Sequence, residues 1–94
     1  MNQIPLHPDV LEFVSSLERL HDILSSYGYG IWAEKIARVQ KIAESSDGYC
    51  IDLFLELYGG MGSFNDLVLN APSAVNEIFD TERRHAYALA AALK

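Results

Sequence analysis

The residues GGMGSFNDLVL, 59–69, are where this 94-residue chain gathers residue types that could do chemistry. Gly59, Gly60 and Gly62 would let a ligand approach the backbone, Ser63 carries a hydroxyl, and Asn65 and Asp66 could orient it. Each such chemistry has requirements that can be checked. A P-loop needs G-x-x-x-x-G-K-[ST] entered from a strand, because its lysine reaches the phosphates. No lysine follows here, and the preceding run reads as helix. The dinucleotide pattern G-x-G-x-x-G fails, with Phe64 and Asn65 in the later positions. A nucleophile elbow needs glycine two residues after the serine, where this chain has Asn65. His7, His21 and His85 lie in separate segments without an i, i+4 pair, and Asp52 with Glu56 is too sparse a ligand set for a metal. The expectation is a protein that is not an enzyme, with no catalytic residue, no metal and no cofactor.

The same stretch reads well as architecture. Gly59 can supply the left-handed residue that closes a helix. Gly60 and Gly62 let the chain reverse, and Met61 is flexible enough to plug a gap. Ser63-Phe64-Asn65-Asp66 resembles a capping box, and Phe64, Leu67, Val68 and Leu69 then return to the core. Gly59, Gly60, Gly62, Ser63 and Asp66 are therefore expected to form a structural loop.

Four helical patterns surround that loop. From Pro8 to Tyr27, apolar residues fall at Val10, Phe13, Leu17, Leu20, Leu24 and Tyr27, steps of three and four, with Leu11, Val14 and Ile23 beside them. Pro8 suits a first helical turn and Gly28 a left-handed cap. After YGYG, the spacing of Trp32, Ile36, Val39 and Ala43 predicts a second helix over 31–45. The run YCIDLFLELY, 49–58, is apolar almost all round; its leucines favour a third helix, which puts Asp52 and Glu56 one turn apart. A last helix is expected from Ser73 onward, with a stripe of Val75, Ile78, Phe79, Glu82, Ala86, Leu89, Ala90 and Leu93. Glu82 interrupts that stripe and is expected to pair with Arg83, Arg84 or a basic residue of the second helix. The fold class is all-α: a compact bundle of about four helices in a single domain, 1–94, with a glycine-rich loop between the third and fourth.

Composition narrows function. The net charge is −6, and between Ile42 and Glu82 eight acids stand with no Lys or Arg. Such a surface repels nucleic acid and anionic lipid, and speeds encounter with a basic protein. Solubility is the plainer reason for the same charges. The lone Cys50 lies in an apolar run and reads as a buried, inert thiol. Neither a basic, apolar leader nor a run of about 18–20 apolar residues is present, so the expected location is cytoplasmic.

Trp32 followed by Gly59, Gly60, Met61, Gly62, Ser63, Asn65 and Asp66, with an early helix and a closing helix, resembles a family of small bacterial proteins of unknown function with a GGMGS-x-ND signature. The resemblance spans residues 20–93 and implies no established activity. By analogy with small acidic bacterial proteins, it points to an immunity-type protein that neutralises a basic, secreted toxin by direct contact. Asp52, Glu56, Glu77 and Asp80 are the candidate contacts, with Tyr29 and Tyr58 as exposed aromatic anchors. A self-associating protein, pairing through the last helix, stands as the alternative.

Overall fold

The structure, a computed structural model, describes residues 8–45, 48–58 and 64–93. Helix α1 spans Pro8–Ser26, α2 Gly30–Glu44, α3 Tyr49–Glu56 and α4 Ser73–Leu93, with one tight 3-10 turn at Phe64–Asp66. The protein is an all-α bundle of four helices. Each helix buries one stripe at steps of three and four. In α1 that stripe is Phe13, Leu17, Leu20 and Leu24; in α2 it is Ala33, Ile36, Val39 and Ala43. Residues Cys50, Ile51 and Phe54 of α3 and Phe79, Ala86 and Ala90 of α4 complete the helical core. The buried Cys50 thus matches the reading of its apolar run.

The chain leaves α1 through a Schellman turn. Gly28 adopts φ +84°, a left-handed conformation that disfavours any side chain. The Tyr29 N–H then donates to the Leu24 carbonyl at 2.9 Å and the Gly28 N–H to Ser25 at 3.4 Å. At the end of α3, Leu57 and Tyr58 donate to the carbonyls three residues back, which tightens the last turn and stops the regular helix at Glu56 rather than Tyr58.

Neighbours follow chain order: α1 packs on α2, α2 on α3, α3 on α4, and α4 returns to α1. Aromatic rings fill the space between. Phe13 of α1 meets Phe54 of α3 edge-on at 5.2 Å between centroids, so the diagonal is bridged by side chains alone. Phe64, fully buried, touches Trp32, Phe54, Tyr58 and Phe79. The return of the post-loop segment to the core is therefore carried by Phe64, Leu67 and Leu69. Val68 does not take part; it is 74% exposed because the segment has left the helical register and alternates. Leu11, Tyr27 and Ile78 also face outward, at the edges of stripes whose centres are already filled.

The seam between α1 and α4 is polar. Glu82 accepts from the buried Ser16 hydroxyl at 2.6 Å and from Arg19 Nε at 2.7 Å. Arg19 Nη2 reaches Glu12 Oε1 at 3.1 Å, and the same carboxylate oxygen lies 3.0 Å from His85 Nε2. Glu82 thus finds its cation on the first helix, not on α2 or among its own neighbours, because α1 and not α2 lies against α4. Burial raises the Glu82 pKa, but the Arg19 and Ser16 hydrogen bonds outweigh it and leave the group below its ordinary value; hydrogen bonds from His85 and Arg19 lower Glu12.

Both carboxylates are depressed in the folded state, so their contribution is complete above the ordinary value of 4.5 and is lost as pH falls through the lower folded values. Glu82→Ala should lower stability by about 1–3 kcal/mol, since it leaves the buried Ser16 hydroxyl only the long contact to the residue-82 carbonyl at 3.5 Å and removes the Arg19 partner. Glu82→Gln should flatten the acid limb. Urea midpoints measured from neutral pH into the acid range for wild type and both variants check this; an unchanged acid limb in Glu82→Gln contradicts it.

Candidate functional site

The most constrained group of side chains lies where α3, the 3-10 turn and α4 converge. Arg83 is its centre. The residue is 8% exposed, between the rings of Phe64 and Phe79, whose centroids lie 5.8 and 4.9 Å from its guanidinium carbon. Its Nη1 donates to the carbonyls of Phe64 at 2.7 Å and Leu67 at 2.9 Å, and its Nη2 to Asp80 Oδ1 at 2.9 Å. A planar fork of donors suits this task, because it reaches two carbonyls and a carboxylate at once. The Phe64 N–H donates in turn to the Leu57 carbonyl at 2.8 Å, which ties the turn back to the end of α3.

Two further side chains hold the segment between the turn and α4. Asn76 accepts from the Leu69 N–H at 2.9 Å and donates to the carbonyls of Leu69 at 3.0 Å and Ala71 at 3.3 Å. The Tyr29 hydroxyl accepts from the Asn70 N–H at 2.7 Å. Backbone groups without a helix or sheet are thereby satisfied by side chains.

Beside Arg83 a cleft of about 490 Å³ opens, lined among the described residues by Tyr58, Asp80, Arg83, Arg84 and Tyr87. The Tyr58 and Tyr87 rings meet edge-on at 4.8 Å, and the Tyr58 hydroxyl donates to the Arg83 carbonyl at 3.2 Å. Burial pushes the Tyr58 hydroxyl well above the usual phenol range, so it stays protonated and keeps donating. Asp80 bridges both arginines, with Arg84 Nη2 at 2.9 Å from its second oxygen. The hydrogen bond from Arg83, offset in part by desolvation and reinforced by the charge of Arg84, holds Asp80 below its ordinary value.

The residues singled out from sequence are spread over this frame. Asp52 and Glu56 are exposed on α3, Glu77 is exposed on α4, and Asp66 is exposed at the end of the 3-10 turn. Asp80 is different: its carboxylate is engaged by two arginines. Tyr29 and Tyr58 are half-buried and hydrogen-bonded within the fold, not exposed, because each spans a joint between segments. Gly59, Gly60, Gly62 and Ser63 lie outside the described residues, as do His7 and Met61. Arg83, Asn76 and Tyr87 were not anticipated. Arg83 had a signal, since it falls on the Phe79–Ala86–Ala90 stripe, and a cation on an apolar stripe demands partners.

No group of three or more His, Cys, Asp or Glu among the described residues could hold a metal ion. No helix among them is long and apolar enough to cross a membrane. The site belongs to a small helical domain whose polar clusters tie its elements together. The chain belongs to a family described as a domain of unknown function (DUF6966), which matches residues 25–76, from the end of α1 to the first turn of α4. That span holds Trp32, the glycine-rich segment and Asn76, and excludes Arg83. No curated protein and no solved structure matches the chain.

Removing the Arg83 head group would leave the Leu67 carbonyl without this donor, the Phe64 carbonyl with the Leu67 N–H at 3.3 Å, and Asp80 with Arg84 in place of two arginines. Arg83→Met should cost about 2–4 kcal/mol, more than Arg83→Lys, which keeps the charge but loses the fork. Trp32 is the only tryptophan and lies 5.2 Å from Phe64, so its fluorescence reports the change directly. Equal denaturant midpoints for Arg83→Met and wild type would contradict the role assigned to Arg83.

Proposed function

We propose that this domain is an immunity-type binding protein, which holds and neutralises a basic toxin through an acidic surface. One observation supports the reading above others. Residues 42–82 contain eight acids and no Lys or Arg, and of these Asp80 and Glu82 are held by arginines of the fold. Glu44, Asp52, Glu56, Asp66 and Glu77 are exposed. A surface of one sign accelerates encounter with a partner of the other and disfavours wrong partners. Asp52, Glu56 and Glu77 remain the contacts of choice, while Asp80 drops in weight because its charge is already answered. Tyr29 and Tyr58 now serve this surface by holding its supports in place.

The chain, recovered from its native host, should bring a basic protein with it. Asp52→Lys with Glu56→Lys should cut that capture by roughly 10-fold or more, with circular dichroism unchanged. Absence of a basic partner, or capture indifferent to the reversal, ends this reading.

Self-association is the second reading, favoured by the outward stripe of Ile78, Thr81, His85, Ala88 and Ala92 on α4, which recurs at steps of three and four. Sedimentation at micromolar concentration should then show a dimer that Ile78→Glu dissociates. A monomer throughout removes this alternative.

A further inference from the structure

The cleft between the end of α3 and the middle of α4 keeps hydrogen-bond donors that no described residue uses. The Nη1 and Nη2 groups of Arg83 are committed to Phe64, Leu67 and Asp80, and the Tyr58 hydroxyl hydrogen to the Arg83 carbonyl. Arg84 gives only Nη2, to Asp80, and its side chain is 79% exposed. Its Nε and Nη1, and the Tyr87 hydroxyl, have no partner among the described residues. Two guanidinium groups share one carboxylate here, leaving one positive charge in excess. No other Lys or Arg occurs between Ile42 and Leu93, so this is a cationic spot within the acidic part of the chain.

Three properties select a ligand. Unused N–H and O–H donors beside an excess cation call for an anion with good acceptors, and a guanidinium edge matches a carboxylate. A volume of about 490 Å³ exceeds the needs of a lone ion and lies within the roughly 300–1,000 Å³ of small-molecule pockets. The rings of Tyr58 and Tyr87, which meet edge-on, offer aromatic surface for the apolar part of a ligand.

We propose that this cleft binds a small carboxylate carried on a planar, apolar body. The carboxylate takes the outer edge of Arg84 and the Tyr87 hydroxyl; the body lies against the two tyrosine rings. The site does not depend on the acidic surface or on its partner. A free aromatic acid and the C-terminal aromatic residue of a peptide offer the same chemistry.

Titrating the full chain and following the Arg84 Nε–H and Tyr87 ring resonances tests this. The probes, at matched ionic strength, are phenylacetate, N-acetylglycylphenylalanine, phenylacetamide and inorganic phosphate. Saturable shifts at both groups are expected with at least one of the two carboxylates; the tighter of them tells the free acid from the chain end. Phenylacetamide should bind roughly 10-fold or more weakly, and Arg84→Gln should weaken the carboxylates by a similar factor. Tyr87→Phe keeps the ring and should cost about 3-fold or more. Thermal midpoints of both variants show whether the fold is intact. Shifts that never saturate overturn the proposal. So does phenylacetamide or phosphate binding as tightly as the carboxylates, or Arg84→Gln binding like wild type.

Discussion

The guanidinium of Arg83 is the constraint from which the rest of this small bundle is built. A charged group that is 8% exposed is tolerated only when its donors are answered, and here two carbonyls and a carboxylate answer them. The consequence runs both ways. The 3-10 turn at Phe64–Asp66 has no long ladder of its own and takes its position from α4 through this side chain. The Phe64 ring, held in place, touches Trp32, Phe54, Tyr58 and Phe79 and so joins α2, α3 and α4. A short segment without regular structure thereby supplies the common contact of three helices.

The helices themselves were legible because their signals are local. The stripe Phe13, Leu17, Leu20 and Leu24 and the cap at Gly28 each depend on residues a turn apart, and each is found where the spacing puts it. What escaped depends on neighbours distant in sequence. Nothing near Glu82 shows that its cation is Arg19, 63 residues away. Tyr29 and Tyr58 read as surface anchors because their partners, Asn70 and Arg83, lie 41 and 25 residues off. Ile78 sits on a helical stripe but stays exposed on α4. The glycine-rich segment drew the eye by composition, while the side chains that organise its far side are one arginine and one asparagine on α4.

Charge is divided by role in this fold. Glu12 and Glu82 are spent on joining α1 to α4 and Asp80 on holding two arginines of its own helix, and these partners leave them little field to project. Asp52, Glu56, Asp66 and Glu77 lie exposed on segments where the sequence offers no basic residue nearby. The separation explains how a chain with net charge −6 remains compact: repulsion is placed at the surface, where water and salt screen it, and attraction at the seams.

The order of the helices around the bundle bears on how the chain assembles. Contacts of α1 with α2 and of α2 with α3 join segments that follow one another, the kind of local pairing that lets helical proteins fold quickly. The last seam is of another kind, because Ser16 and Glu82 are 66 residues apart and must meet across the whole chain. The loop-closure entropy of that meeting falls on α4 alone. The final helix therefore acts as the clasp of the fold: it is the element whose arrival converts a row of paired helices into a closed ring.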